Sequence, residues 1–217
     1  MVKARSHDAQ KRDREIRAAK QGNARDAIGE LRRGHEVYIL TFGQFSMVDA
    51  ITTILEQTGP AHVAISTWTA ADAHLEKAAA LLEGADILSM RWLVDRSFLT
   101  RQPEYCEKMR HLFGDNCIRT LRTHAKFVVI TNDQWNIAIR TSMNLNENPR
   151  LESIEISDDA DLAAFMLSVV DDVFGDQAEG VFNGELPTLD SVENVNRAGA
   201  VAAGRINPKT LKRPRVG

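Results

Sequence analysis

Cysteine is scarce in this chain, and long apolar runs are missing. Cys106 and Cys117 are the only cysteines among its 217 residues. They could form a disulfide, but the first 20 residues contain no apolar stretch typical of a secretory signal, so we favour two reduced, packed thiols. No apolar run approaches the roughly 20 residues that a membrane-spanning helix needs. These absences predict a cytoplasmic protein with no membrane partner.

An excess of positive charge is also missing. The 27 lysines and arginines are outnumbered by 30 aspartates and glutamates, which leaves a net charge of −3. The chain as a whole is therefore not a polycation, and any attraction for nucleic acid must come from local patches. A charged fraction of 26% and a hydrophobic fraction of 43% indicate a globular protein with one sizeable core.

The two ends of the chain differ in composition from its middle. Residues 1–34 are rich in charged residues and alanine, which predicts a charged helical N-terminal arm with one or two exposed helices. This arm is either a solvated surface or a basic contact for a phosphate backbone. Residues 177–217 are rich in small and polar residues, and residues 205–217 contain five basic and no acidic side chains. They predict a flexible C-terminal extension with a basic tail.

Residues 35–176 alternate between patterns typical of buried strands and of helices. Repeated strand–helix units of this length favour an α/β domain with a mixed, largely parallel sheet sandwiched by helices. Glycine or proline marks several of the element ends. The predicted strands are 36–43, 61–69 and 86–94, and the predicted helices are 46–59, 70–85, 103–114 and 158–174.

A predicted hairpin follows the third of these helices. Lys126–Ile130 (KFVVI) is a β-favouring run, Thr131–Gln134 (TNDQ) is a polar turn, and Trp135–Arg140 (WNIAIR) is the returning strand. Trp68, Trp92 and Trp135 are large apolar side chains that we expect in the core, with an interface as the alternative for the first two.

Polar pairs lie where the two hairpin strands end. His124 and Lys126 are two residues apart, and so are Ser142 and Asn144. Because side chains alternate between the faces of a strand, each pair shares one face. Two such pairs at neighbouring strand ends predict a functional site.

The order of these motifs resembles the phospholipase D superfamily. His124–Lys126 (HAK) matches the HxK motif of that family, and Thr141–Asn144 (TSMN) matches its GSxN motif. Glu155 falls where these proteins often carry a supporting acid. Two positions differ, because Thr131 stands where the family has aspartate and Thr141 where it has glycine.

The resemblance implies phosphodiester cleavage with no metal and no organic cofactor. In that family one histidine attacks phosphorus to form a phosphohistidine, and a second histidine protonates the leaving oxygen. His124 corresponds to the reacting histidine, and Lys126 and Asn144 to the groups that stabilise the phosphoryl oxygens. Ser142 corresponds to a supporting group, and Glu155 to an acid that orients a histidine.

Arg122 and Arg140 flank these motifs, and Thr141 is the first residue of the second motif. Arg122, Arg140 and Thr141 are weaker candidates for substrate binding, because solvated arginines at such positions are equally common.

The implied mechanism needs two HxK sets, and the chain contains one. None of the other five histidines is followed two residues later by lysine. We therefore expect a two-fold homodimer in which each subunit contributes one His124–Lys126 pair to a shared site.

The expected activity is that of a metal-independent phosphodiesterase or nuclease. Nucleic acid is the favoured substrate, because the chain has a single HxK motif and both of its ends carry basic segments. Of the nucleic acids, we expect DNA rather than RNA. A non-catalytic DNA-binding protein that keeps the same fold is the alternative, and a phospholipid hydrolase is the third possibility.

Overall fold

A mixed sheet of eight strands organises the part of the protein that the structure describes. The computed structural model describes residues 13–19, 22–146 and 149–177. In the described residues the strands lie in the order β1-β2-β8-β7-β6-β3-β4-β5. The strands are β1 (Asp13–Ala19), β2 (His35–Thr41), β3 (Ala61–Thr67), β4 (Ile87–Asp95), β5 (Ile118–Leu121), β6 (Phe127–Thr131), β7 (Asn136–Thr141) and β8 (Glu152–Asp158).

Six helices pack on the faces of this sheet in the described residues. The capping box of Ser46 and Asp49 begins the second helix, and Pro103 begins the fifth, as their positions in the sequence predict. The helices are α1 (Ala24–Ile28), α2 (Met47–Thr58), α3 (Asp72–Glu83), α4 (Phe98–Arg101), α5 (Pro103–Phe113) and α6 (Ala160–Asp176).

The sheet separates two apolar cores. Helices α1 to α5 cover one face and bury the larger core with Trp92, Ile139 and Ile154. On the other face α6 packs Met166 and Val170 against small and branched residues of β3, β4, β6 and β7. Helices on both faces of a mixed sheet confirm the predicted fold class. None of the helices in the described segments has the length and apolar character that crossing a membrane requires.

Parallel and antiparallel pairing divide the sheet into blocks. The pairs β1/β2, β3/β4 and β4/β5 are parallel, and the four other pairs are antiparallel. The antiparallel strands β6, β7 and β8 lie between the two parallel blocks. This arrangement places the predicted hairpin, which is β6 and β7, at the centre of the sheet.

The helical prediction for the N-terminal arm is wrong for residues 13–19. These residues form β1, which pairs in parallel with all of β2. Helix propensity favours the segment, but main-chain bonds to β2 and the Arg14–Glu36 ion pair stabilise an edge strand instead. Ile16 remains 74% exposed, so the segment has no helical core stripe. The rest of the predicted arm is α1 and its flanking loops, apart from residues 1–12, 20 and 21, which lie outside the described residues together with residues 178–217 of the predicted extension.

Both cysteines are free thiols. Burial raises the pKa of Cys106 to about 12 and that of Cys117 to about 11. These thiols are therefore protonated at neutral pH and serve as packing groups.

Candidate active site

The ends of five strands meet at one edge of the sheet. The first residue of β6 is paired with the end of β7 through Phe127 and Arg140. β3 runs antiparallel to β6, so its last residues reach the same edge. β2 ends there as well, because Thr41 is the register partner of Glu152 at the start of β8. Residues just outside these strand ends are therefore brought together.

His124 and Lys126 lie in the segment that leads into β6. Lys126 Nζ is 3.3 Å from His124 Nδ1 and donates to the main-chain oxygen of His124 at 3.1 Å. His124 is exposed, and Lys126 is half-buried. Removal of Lys126 from water lowers its pKa below the usual lysine range, and the Glu152 carboxylate partly opposes this shift. The predicted pair is thus in contact, through Nδ1 of the imidazole.

Ser142 is held by the first two residues of β8. Its hydroxyl donates to the Glu152 carboxylate and accepts from the main-chain N–H of Ser153 at 2.9 Å. The main-chain N–H of Ser142 donates to Ser153 O at 3.0 Å. The negative charge of Glu152 also raises the pKa of Lys126. The same carboxylate therefore interacts with a residue of each predicted motif. Glu152 belongs to neither motif and was not among the residues predicted for the site.

Glu155, which the resemblance suggested as the supporting acid, lies elsewhere. It is in the middle of β8 and forms an ion pair with Arg140 of β7. Ile154 and Ile156 on either side of it point into the larger core, so Glu155 points to the opposite face of the sheet. Glu152 is two residues before Ile154, so it lies on the same face of β8, and it is at the sheet edge where the site is. The alternation of side chains along β8 thus separates Glu152 from Glu155.

Asn144 is positioned by the residue that follows it. Leu145 accepts a bond from Ala71 N at 2.7 Å and donates to Thr69 O at 3.3 Å. These bonds join the segment after β7 to the segment after β3. Asn144 Oδ1 is buried and has no hydrogen-bond partner in the described part of the chain. This oxygen is therefore a buried acceptor that the described protein atoms leave unsatisfied.

The remaining sequence candidates have different places. The Thr141 hydroxyl donates to Ser153 O at 2.7 Å and accepts from Met143 N at 3.0 Å, so it shapes the turn after β7. Thr131 ends β6 at the opposite edge of the sheet, paired with Asn136 and His62. Arg122 is exposed two residues before His124.

Trp68 and Arg101 also belong to this neighbourhood. The rings of Trp68 and His124 have centroids 5.8 Å apart, at an interplanar angle of 51°. The guanidinium of Arg101 lies over the Trp68 ring, 3.7 Å from its centroid. Trp92 is fully buried as predicted, but Trp68 is only half-buried and lies beside the candidate nucleophile.

Asp95 fixes the loop that carries His124. This carboxylate, at the end of β4, accepts from Thr123 N at 3.0 Å and from Ser97 N at 2.9 Å. The Ser97 hydroxyl also donates to it. Thr123 in turn accepts from Ala125 N at 3.1 Å, between the two motif residues. A buried carboxylate thereby ties β4 to the HxK segment.

Comparison with known proteins adds a fold likeness. No protein-family model matches the chain, and no curated protein matches it. The chain is similar to Nuc, a phospholipase D family member from Salmonella typhimurium, with 15% identity over 60% of this chain and 88% of Nuc and a TM-score of 0.43.

Two further solved structures are similar. NucT from Helicobacter pylori is 11% identical over 58% of this chain and 88% of its own length, with a TM-score of 0.43. Polyphosphate kinase from Porphyromonas gingivalis is 15% identical over 75% of this chain and 32% of the kinase, with a TM-score of 0.46. At these identities the function has to be inferred from the residues of the site.

Proposed function

We propose that the protein is a phosphodiesterase that cleaves nucleic acid, DNA in preference to RNA, through a phosphohistidine intermediate. The observation that carries the proposal is the contact between His124 and Lys126 at the sheet edge where Ser142 and Glu152 also meet. An exposed imidazole beside an ammonium is a nucleophile next to a group that binds phosphoryl oxygens. Ser142, bound to Glu152, fixes the wall of this site.

In the first step, Nε2 of His124 attacks phosphorus, and the bond from phosphorus to the leaving oxygen breaks. A histidine from a second subunit, in its imidazolium form, gives its proton to the leaving oxygen. Lys126 stabilises the charge on the phosphoryl oxygens as the transition state forms. Lys126 is suited to this role because the Asp95-bound loop holds it next to the ring.

In the second step, water displaces the imidazole from phosphorus. The neutral histidine of the second subunit takes a proton from the water, and His124 leaves as the free imidazole. Atoms and protons balance over the two steps, and the net reaction is hydrolysis of one phosphodiester bond. The scheme requires two copies of His124, since the chain has one HxK motif. We therefore propose a two-fold homodimer as the active form.

The test is cleavage of plasmid and single-stranded DNA in the presence of EDTA, with wild type beside His124→Ala. We expect EDTA-resistant cleavage by wild type and a loss of at least about a thousandfold in the variant, the size expected when the nucleophile is removed. Light scattering on the same samples should show a dimer. Cleavage that depends on added magnesium would contradict the mechanism.

Two added measurements, binding of a DNA oligonucleotide and headgroup release from phosphatidylcholine vesicles, distinguish the alternative functions. A DNA-binding protein without catalytic activity would bind the oligonucleotide equally well as wild type and as His124→Ala, and neither would cut it. A phospholipid hydrolase would release headgroup from phosphatidylcholine vesicles and leave DNA intact.

A further inference from the structure

Arg101 is an exposed cation held rigidly beside the site. It is the last residue of α4, and its guanidinium lies over the Trp68 ring at 3.7 Å. Its Nη2 donates to Trp68 O at 3.1 Å, and its Nε donates to Ser97 Oγ at 3.0 Å. Three contacts fix a side chain that is usually free to move among rotamers.

Arg101 also has no acidic partner among the described residues, although acids neutralise many other arginines there. An arginine that is fixed but not neutralised keeps its full charge for a ligand. Its Nη1 makes no hydrogen bond within the described residues and offers two N–H donors. The arginines that form ion pairs are Arg14, Arg17, Arg25, Arg33, Arg91, Arg110 and Arg140.

The position of Arg101 relates it to the reacting histidine. Trp68 contacts both the Arg101 guanidinium and the His124 ring, so one indole ring separates the cation from the candidate nucleophile. Ser97, which accepts from Arg101, is bound to Asp95, and Asp95 holds the loop of His124. Arg101 and His124 are therefore fixed relative to each other by Trp68 and by the hydrogen bonds of Ser97 and Asp95.

A fixed and unpaired guanidinium is suited to bind the oxygens of a phosphate. Its planar donors suit phosphate geometry, and weak hydration makes the cation easy to desolvate. A substrate with a single phosphodiester places its only phosphate at His124 and Lys126. A nucleic acid strand carries a further phosphate on each side of the scissile one, and a cation one indole ring away from His124 is placed to bind one of them.

Resting on the function proposed above, we propose that Arg101 is a binding subsite for the phosphate next to the scissile one. It makes the site select a strand of linked phosphodiesters over an isolated phosphodiester. Trp68 is the platform that holds the cation in place.

The experiment compares the full-length wild type with Arg101→Gln and Arg101→Lys. Hydrolysis of bis(p-nitrophenyl) phosphate reports on a single phosphodiester, and cleavage of a short single-stranded oligonucleotide reports on a strand. Affinity for the same oligonucleotide is measured by fluorescence anisotropy over a range of salt concentrations, in a His124→Ala background that prevents cleavage. Arg25→Gln is the matched control, since Arg25 is an exposed arginine paired with Glu56 away from this site.

We expect Arg101→Gln to lower the selectivity for the oligonucleotide over the small diester about tenfold, the size of one charged hydrogen-bonded contact. Oligonucleotide affinity should fall by a similar factor, and the slope of log affinity against log salt should drop by about 0.7, as for one lost contact on a single strand. Arg101→Lys should recover part of both effects because it keeps the charge but not the fork.

Two results would overturn the subsite. One is an equal loss on both substrates, which would mean that Arg101 acts only through Trp68 and His124. The other is an affinity and salt slope in Arg101→Gln equal to those of Arg25→Gln. If wild type cuts neither substrate, the proposed function fails, and the anisotropy measurement still decides the subsite.

Discussion

Asp95 accepts a hydrogen bond from the main-chain N–H of Thr123, and this bond joins the end of β4 to the loop that carries His124. The two residues are 28 positions apart, so no local pattern reveals their contact. Because Asp95 is only 7% exposed and also binds Ser97, it holds two loops in one geometry. The placement of the candidate nucleophile therefore depends on a residue outside both motifs.

Asp95→Asn tests that dependence. The amide keeps the shape of the carboxylate but has one acceptor oxygen, so at least one donor of Ser97 or Thr123 loses its partner. We expect the free energy of unfolding to fall by about 1–3 kcal/mol, the usual cost of such a loss in a buried place. We also expect kcat to fall more than KM changes, since the reacting group is misplaced. Asp133→Asn, in the exposed turn between β6 and β7, is the control for urea denaturation and kinetics.

A pair of glutamate variants in β8 separates the two candidate acids. Glu152→Gln removes the carboxylate that accepts from Ser142, and we expect kcat/KM to fall about 10- to 100-fold, the effect of one lost charged hydrogen bond on the transition state. Glu155→Gln removes the partner of Arg140 on the other face, and we expect kcat/KM within about twofold of wild type. A larger loss of kcat/KM in Glu155→Gln than in Glu152→Gln would mean that Glu155 is the supporting acid, as the resemblance suggested.

The pH profile is expected to report on Lys126. Removal of this ammonium from water lowers its pKa, so it loses its charge at a lower pH than an ordinary lysine. Activity that needs the charged form should therefore decline on the alkaline side before the usual lysine range is reached. The Glu152 carboxylate raises the pKa of Lys126, so Glu152→Gln should move this decline to still lower pH.

Lys126→Arg supplies the check on this assignment. Guanidinium stays charged throughout the accessible range, so whatever activity the variant keeps should show no alkaline decline from this position. The measurement is log kcat/KM against pH for wild type, Glu152→Gln and Lys126→Arg at constant ionic strength. A decline that stays at the same pH in Lys126→Arg would assign it to another group.

Two isoleucines test the packing of the N-terminal region. Ile28 of α1 is fully buried, and Ile28→Ala should lower the free energy of unfolding by about 2–5 kcal/mol because it leaves a cavity. Ile16 of β1 is 74% exposed, and Ile16→Ala should change it by no more than about 0.5 kcal/mol. Urea denaturation followed by circular dichroism measures both. Similar losses in the two variants would mean that β1 is packed against something in solution.

Local patterns predicted much of the middle of the fold. The strands β2, β3 and β4 and the helices α2, α3 and α5 follow apolar periodicity, and helix ends such as Ser46 and Pro103 have their own chemical signals, whereas the four-residue α4 was not predicted. The strand β1 was not predicted, because the segment is rich in helix-forming residues. Pairing with β2 and the Arg14–Glu36 contact stabilise it, and neither can be read from its composition. The strand β8 was not among the predicted strands, although Glu155 within it was named as a candidate acid.

The site was predicted in part, for related reasons. Spacing within one strand or its extension brought His124 to Lys126, a contact that the structure contains. Glu155 was chosen by its distance along the chain, whereas its direction is set by the register of β8, which points it at Arg140. Trp68 directly follows β3, and Asp95 and Arg101 belong to β4 and α4. Only the order of strands in the sheet makes these residues neighbours of His124.

The central position of β6 and β7 has a consequence for hydrogen exchange. Each of these strands has a bonded neighbour on both sides, β3 or β8 in addition to each other, and α6 covers them. Their amides are not on an edge strand, so we expect them to exchange more slowly than those of β1. The histidine, the lysine and the serine are attached to the ends of these two strands, so the framework that supports them should be among the last parts of the sheet to open.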